Sequence, residues 1–297
     1  VRLELMIEGQ EGVTWEEWVA LARACEQHGV GTLFRSDHYL SVMGHEERGS
    51  LETWTTLAGL AAITTRLRFG VLVSPATFRH PSVLAKVVAA VDQISGGRVD
   101  FGLGAGWNER EHEAYGFAFP PLGARLELVE EQLEIVRGAW ADGPFSFAGA
   151  HYSLDALDAL PKPVQRPHPP IIIGGGAKPR TARIAARFAD EYNTVYATPA
   201  ECAERRAVCE AAWTGAGRDP ATLTFSVMLP WVDGTDAELM AVVGESAAVG
   251  IPRAFDEAVA RLRSYRDAGV DRVMLQHLRH RDVEAIAEIP RLTAALA

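Results

Sequence analysis

The chain repeatedly exchanges short apolar runs for longer amphipathic ones. The short runs lie at 2–8 (RLELMIE), 31–36 (GTLFRS), 68–74 (RFGVLVS), 98–105 (RVDFGLGA), 171–173 (III), 190–197 (DEYNTVYA), 223–230 (LTFSVMLP) and 270–278 (VDRVMLQHL). Near-continuous apolar runs of this length predict strands covered on both faces, as in a parallel sheet. The intervening stretches have helical spacing. Trp15, Trp18, Val19, Leu21, Ala22 and Cys25 fall on one helix face, with Thr14 placed to cap it and Gly29 to stop it. Further helices are expected over LETWTTLAGLAAITT, from Pro81 to about residue 95, and through Leu126, Val129, Leu133, Val136 and Trp140. Others follow at TARIAARFA, from Pro199, and at FDEAVARLRSYRDAG. A last helix, VEAIAEIPRLTAALA, is expected to be interrupted at Pro290.

Two stretches break the rhythm. Residues 106–121 read as irregular. Residues 142–170 combine a hairpin-like FSFAGAHYSLD with an extended PKPVQRPHPP. Because the β/α alternation resumes at once, 142–170 reads as an insertion between strands four and five rather than as a linker. Eight strands alternating with helices predict an α/β fold: a single (β/α)8 TIM-barrel domain over 1–297.

Composition narrows the function. Apolar content of 48% and charged content of 23% suit a globular core. No apolar run approaches the ~18 residues of a membrane span. A net charge of −10 argues against nucleic acid as a partner. No charged start precedes an apolar stretch, so the expectation is a cytoplasmic protein. Cys25, Cys202 and Cys209 lack metal-ligand spacing and read as reduced thiols. No HxH, HExxH or CxxC occurs, so no metal site is expected. No lysine falls in a predicted strand and GxSxG is missing, which sets aside a Schiff-base aldolase and a serine hydrolase.

Candidate chemistry lies at the carboxyl ends of the strands, where barrels place their sites. Asp37 and His38 follow strand two; His38 is either an acid/base group or a surface histidine, and Asp37 a partner or a helix cap. Arg79 and His80 follow strand three, as solvated charges or as contacts to a ligand. Gly104–Ala105–Gly106 would let a flat ligand lie close, bordered by Trp107 or Asn108. Gly174, Gly175 and Gly176, with Lys178, Arg180 and Arg183 nearby, form either a tight turn or a phosphate cradle at a helix start. Trp231 and His277 close strands seven and eight and are either core or substrate contacts.

Taken together, SDHY (36–39), GVLVSPATFRHP (70–81), DQISGGRVDFGLGAGWNEREHEAYG (92–116), LPKPVQRPHPPIIIGGG (160–176) and RTARIAARFADEYN (180–193) resemble the luciferase-like monooxygenase superfamily. More narrowly they resemble its branch of oxidoreductases that use the deazaflavin coenzyme F420. The resemblance runs over most of the chain. It implies a barrel with its cofactor ring at the carboxyl end, and a non-proline cis peptide in strand three, mapped to Leu72–Val73, behind that ring. It assigns Leu72, Val73, Ser74, Gly106 and Asn108 to the ring and its side chain, and Gly174, Gly175, Gly176 and Arg180 to the phosphate end. His38 becomes the general acid/base, with Asp37 beside it. Trp107, Arg79, His80, Trp231 and His277 fall on the substrate side. The implied reaction is hydride transfer between F420 and a small organic substrate, by a homodimer. One alternative is an FMN-dependent monooxygenase with a separate reductase as partner. Another is a non-catalytic flavin-binding protein, against which Asp37–His38 at a strand end speaks.

Overall fold

The computed structural model describes residues 1–45 and 47–297. In chain order the strands are β1 (Arg2–Ile7), β2 (Thr32–Arg35), β3 (Arg68–Val71), β4 (Ser74–Pro75), β5 (Val99–Gly104), β6 (Phe145–Ala148), β7 (Ser153–Leu157), β8 (Ile171–Gly174), β9 (Glu191–Val195), β10 (Thr224–Val232), β11 (Ile251–Pro252) and β12 (Arg272–Gln276). The helices are α1 (Trp15–His28), α2 (Thr53–Ile63), α3 (Pro81–Ser95), α4 (Glu109–Tyr115), α5 (Leu122–Trp140), α6 (Pro179–Phe188), α7 (Pro199–Gly215), α8 (Ala237–Val243), α9 (Phe255–Asp267) and α10 (Glu288–Ala295).

Strands β1, β2, β3, β5, β8, β9, β10 and β12 pair in parallel in that order, and β12 returns to β1, closing a barrel. β4 continues the line of β3 against β5, and β11 adds to the end of β10. The expected (β/α)8 barrel is therefore the fold. Residues 142–170 lie between β5 and β8 and carry the antiparallel pair β6–β7. That pair packs on α5: a Cβ at Gly138 would sit 2.4 Å from the Phe145 ring.

The helix signals act as the sequence suggests. Thr14 accepts from Glu17 N while the Glu17 side chain accepts from Thr14 N, a reciprocal cap, and Gly29 ends α1 in the left-handed conformation. Three elements differ from expectation. Residues 109–115 form a helix, α4, and α8 rises from the acidic segment after β10. The last predicted helix is divided, into a 3-10 segment over Val283–Ala287 and α10, with the break just before Pro290 rather than at it. Pro290 lies in the first turn of α10, where the helix does not need its missing N–H.

Strand alternation sorts the core into two parts. Outward residues such as Leu3, Leu5, Leu33, Phe69 and Phe101 join the helices in the main apolar cluster. Inward residues stack in layers along the barrel axis. Near the amino ends lie Glu4, Asp100, Glu191 and Arg272, all buried. Arg272 pairs with Glu191 and, at 3.1 Å, with Asp100, and Arg68 reaches Asp100 from the start of β3. Above them Met6, Phe34, Ile172, Met228 and Met274 make an apolar plug. The layer above the plug is the floor of the site.

Candidate active site

A cavity of about 710 Å³ opens among the carboxyl ends of the strands. That volume suits a drug-sized ligand or a cofactor ring with a small substrate. Met6 and Met228 reach it from the plug, with Glu8, Ser36 and Gln276 around them. Leu72 and Val73 form its wall between β3 and β4, and the peptide joining them is cis, at the bond the resemblance indicates. Gly174, Gly175, Lys178, Arg180 and Thr181 form the wall between β8 and α6. The rim is apolar: Trp107, Leu122, Val195 and Val242 are exposed and line the opening.

His38 is the titratable group best placed to act. It lines the cavity, with its side chain 12% exposed, and stacks edge-on to Trp107 at 5.5 Å between ring centres. Its Nδ1 lies 2.7 Å from Glu111 Oε2, within hydrogen-bond distance. Glu111 comes from α4 and is wholly buried; its other oxygen accepts from the backbone N–H groups of Tyr39 and Leu40. Burial disfavours the charged imidazole, but the Glu111 carboxylate outweighs it, with Glu8 and Asp37 adding. The His38 pKa is therefore held above its ordinary value of 6.5.

A second polar chain crosses the floor. Ser36 Oγ donates to Gln10 Oε1 at 2.5 Å, and Gln10 Nε2 donates to Glu8 Oε2 at 2.8 Å. From the other side Tyr196 Oη donates to Gln276 Oε1 at 2.9 Å, and Gln276 Nε2 donates to Glu8 Oε1 at 2.6 Å. Tyr196 holds a left-handed backbone, φ 50°, which turns it from the end of β9 over the cavity. Burial pushes its hydroxyl up to about 12.

The sequence candidates divide sharply. His38, Leu72, Val73, Gly106, Trp107, Gly174, Gly175 and Arg180 line the cavity. Asp37, Ser74, Asn108, Gly176, Arg79, His80, Trp231 and His277 do not. Strand alternation accounts for several of these. Ser36 and His38 face inward, so Asp37 faces the helices, where it accepts from Ser74 Oγ and pairs with Arg79 at 2.6 Å. Arg79 continues to Glu52. Pro230 and Gln276 line the cavity, so their neighbours Trp231 and His277 turn away. His277 instead lines a second cleft with Arg48 and His280, and burial lowers it to about 4. His80 caps α3 through Ser82, and Asn108 begins α4 with its carbonyl accepting from His112. Arg180 is held by Glu130 and the Gly123 carbonyl.

The glycines of β5 serve the protein first. A Cβ on Gly102 would lie 2.1 Å from the Val71 carbonyl oxygen, and one on Gly104 would lie 2.6 Å from Val73. They let the chain between β3 and β4 press against β5. Glu8, Glu111 and Tyr196 are the site residues that sequence reasoning misses. For Glu8 a signal existed, since it follows Met6 by one step of alternation. For Glu111 none did.

The family model for luciferase-like monooxygenases matches residues 4–294. The chain belongs to this family. An F420-dependent hydroxymycolic acid dehydrogenase of Mycobacterium tuberculosis is 32% identical over 231 residues, 77% of this chain and 60% of that protein. An FMNH2-dependent dimethylsulfone monooxygenase of Pseudomonas putida is 32% identical over 175 residues, 59% of this chain and 47% of that one. Among solved structures, an F420-dependent secondary alcohol dehydrogenase with an F420-acetone adduct superposes with a TM-score of 0.86 over the full length of both chains, at 19% identity. The luciferase-like chain is thus an enzyme of the oxidoreductase class on a barrel shared with both cofactor types. Among its described residues no helix is long and apolar enough to cross a membrane.

Proposed function

We propose that this enzyme moves a hydride between coenzyme F420 and a small, largely apolar alcohol or carbonyl compound. The observation that carries the reading is His38: a nearly buried imidazole, held by a carboxylate, in a cavity whose rim is apolar. Hydride transfer to or from an alcohol carbon needs a proton acceptor or donor at its oxygen, and His38 Nε2 is the ring nitrogen left for that task. The likeness to the mycobacterial dehydrogenase, over 77% of this chain, supports the deazaflavin.

The residues present fit such a cofactor. Leu72 and Val73 offer an apolar wall to a flat ring. At the other end α6 has no side-chain cap, so its first-turn N–H groups and Thr181 can hold a phosphate beside Gly174 and Gly175. Pro179 takes the first helical position, where no intrahelical bond is lost, and it leaves the phosphate one backbone donor fewer. When bound, the deazaflavin supplies the two-electron hydride carrier. The chain excludes water with its rim, orients the substrate oxygen and handles the proton at His38.

Reduced FMN is the second reading, favoured by the likeness to the dimethylsulfone monooxygenase. Titration with F420 and with reduced FMN separates the two. The expected result is saturable F420 binding and oxygen-independent turnover of an apolar alcohol or ketone. Replacing His38 by Ala should lower kcat by about 10²–10⁴-fold with cofactor affinity little changed. Saturable binding of reduced FMN alone, with oxygen-dependent product, would reverse the assignment.

A further inference from the structure

We propose that Glu111 is a positioning residue: it fixes His38 in the Nδ1–H form, so that Nε2 alone faces the reacting oxygen. The inference rests on the function proposed above for His38. The geometry carries it. Glu111 is wholly buried, yet α4 directs it to the end of β2, where one oxygen stands 2.7 Å from the imidazole Nδ1. The other oxygen takes the N–H groups of Tyr39 and Leu40, the residues that follow His38. A buried carboxylate of this kind accepts only, so a neutral His38 must keep its proton on Nδ1. Arg110, the neighbour of Glu111, donates to the Ser41 carbonyl and ties α4 to the same loop a second time. His38 therefore has a fixed tautomer, a fixed plane against Trp107 and one free nitrogen.

The proton then has one route. In the oxidising direction the substrate O–H proton goes to Nε2 as the C–H hydride leaves for the cofactor carbon. His38 becomes a cation held against Glu111, and it gives that proton to solvent or to product in the reverse direction. The charged groups acting on His38 are Glu111 from α4, Glu8 just after β1 and Asp37 just after β2, the last already paired to Arg79. Glu111 alone among them bonds the ring.

Glu111→Gln tests this. The two backbone N–H groups still need the side-chain oxygen, so the new amide NH2 turns toward Nδ1 and donates to it. That selects the Nε2–H form, which cannot accept a proton where the substrate lies. The experiment uses 15N-histidine NMR on the cofactor-free chain, with His38 assigned through its own replacement by Gln, followed by binding and kinetics. Nδ1–H in the unsubstituted chain is expected, with titration above 6.5. In Glu111→Gln, Nε2–H is expected, with titration moved down, kcat lowered at least about 100-fold and F420 or FMN affinity within about twofold. An Nε2–H form in the unsubstituted chain would overturn the proposal even if the variant fails to fold. So would an unchanged tautomer and titration in the variant. Because the NMR needs no cofactor, a wrong cofactor assignment leaves this result standing, and a wrong tautomer leaves the cofactor titration standing.

Discussion

Gly102 shows how one missing side chain shapes this site. Gly104 and Gly106, just beyond it, read in the sequence as an allowance for a flat ligand, whereas the neighbour of Gly102 is the Val71 carbonyl, 2.1 Å from any added Cβ. Because that neighbour is backbone, it cannot swing aside as a flexible side chain would. Gly102→Ala should therefore destabilise the fold by about 1–3 kcal/mol, read as a lower urea midpoint at unchanged slope. His38 and Glu111 make the complementary point. A histidine after a strand of a barrel is conspicuous in a sequence. A glutamate in EREHEAY looks like solvated charge, and only the approach of α4 to the end of β2 turns it into a buried partner.

Among the elements, the ends of β2 and β4 and the start of α2 are tied by one ionic cluster. Asp37 is buried, accepts from Ser74 and pairs with Arg79, whose other nitrogen reaches Glu52. Arg79→Ala strands the Asp37 charge and should cost about 3–5 kcal/mol in denaturant unfolding. Replacing both, Asp37→Asn with Arg79→Met, should cost less than the single change, because the Asp37 carboxylate is no longer left without its partner. The barrel strands were readable from their apolar runs, and α1 from its spacing and caps. α4 was not, for it is seven residues long and its buried members, Glu111 and His112, are polar. Adjacent candidates such as Asp37–His38 look like pairs in the sequence, but the two-residue period of a strand sends such neighbours to opposite faces.

For the whole molecule, the charged layer beneath the apolar plug makes stability depend on pH. Burial raises Glu4 from 4.5 to about 7, against the bond from Thr32 N and the attraction of Arg272. Glu191 is also raised by burial, against Arg272. An acid with a raised folded pKa binds its proton more tightly when folded. Its stabilising contribution is complete below about 4.5 and is lost as pH rises through about 7. For Glu4 alone the span is about 3 kcal/mol. Glu4→Gln, which can still accept from Thr32 N, should flatten the fall in stability between pH 5 and pH 8, leaving the parts due to Glu191 and His38. An unchanged slope in chemical denaturation at the two pH values would show that Glu4 does not titrate in that window.

Trp107 adds an optical consequence. Trp18, Trp54, Trp140, Trp213 and Trp231 are buried, whereas Trp107 is 64% exposed at the cavity mouth with its ring against His38. A protonated imidazole quenches a neighbouring indole, so Trp107 brightens as His38 discharges. Two other tryptophans pack on histidines: Trp231 on His277, which burial lowers to about 4, and Trp140 on His168. On the role proposed for His38, Trp107 fluorescence follows whether that imidazole carries its proton, and any ligand that covers the mouth will dim or shift the same signal.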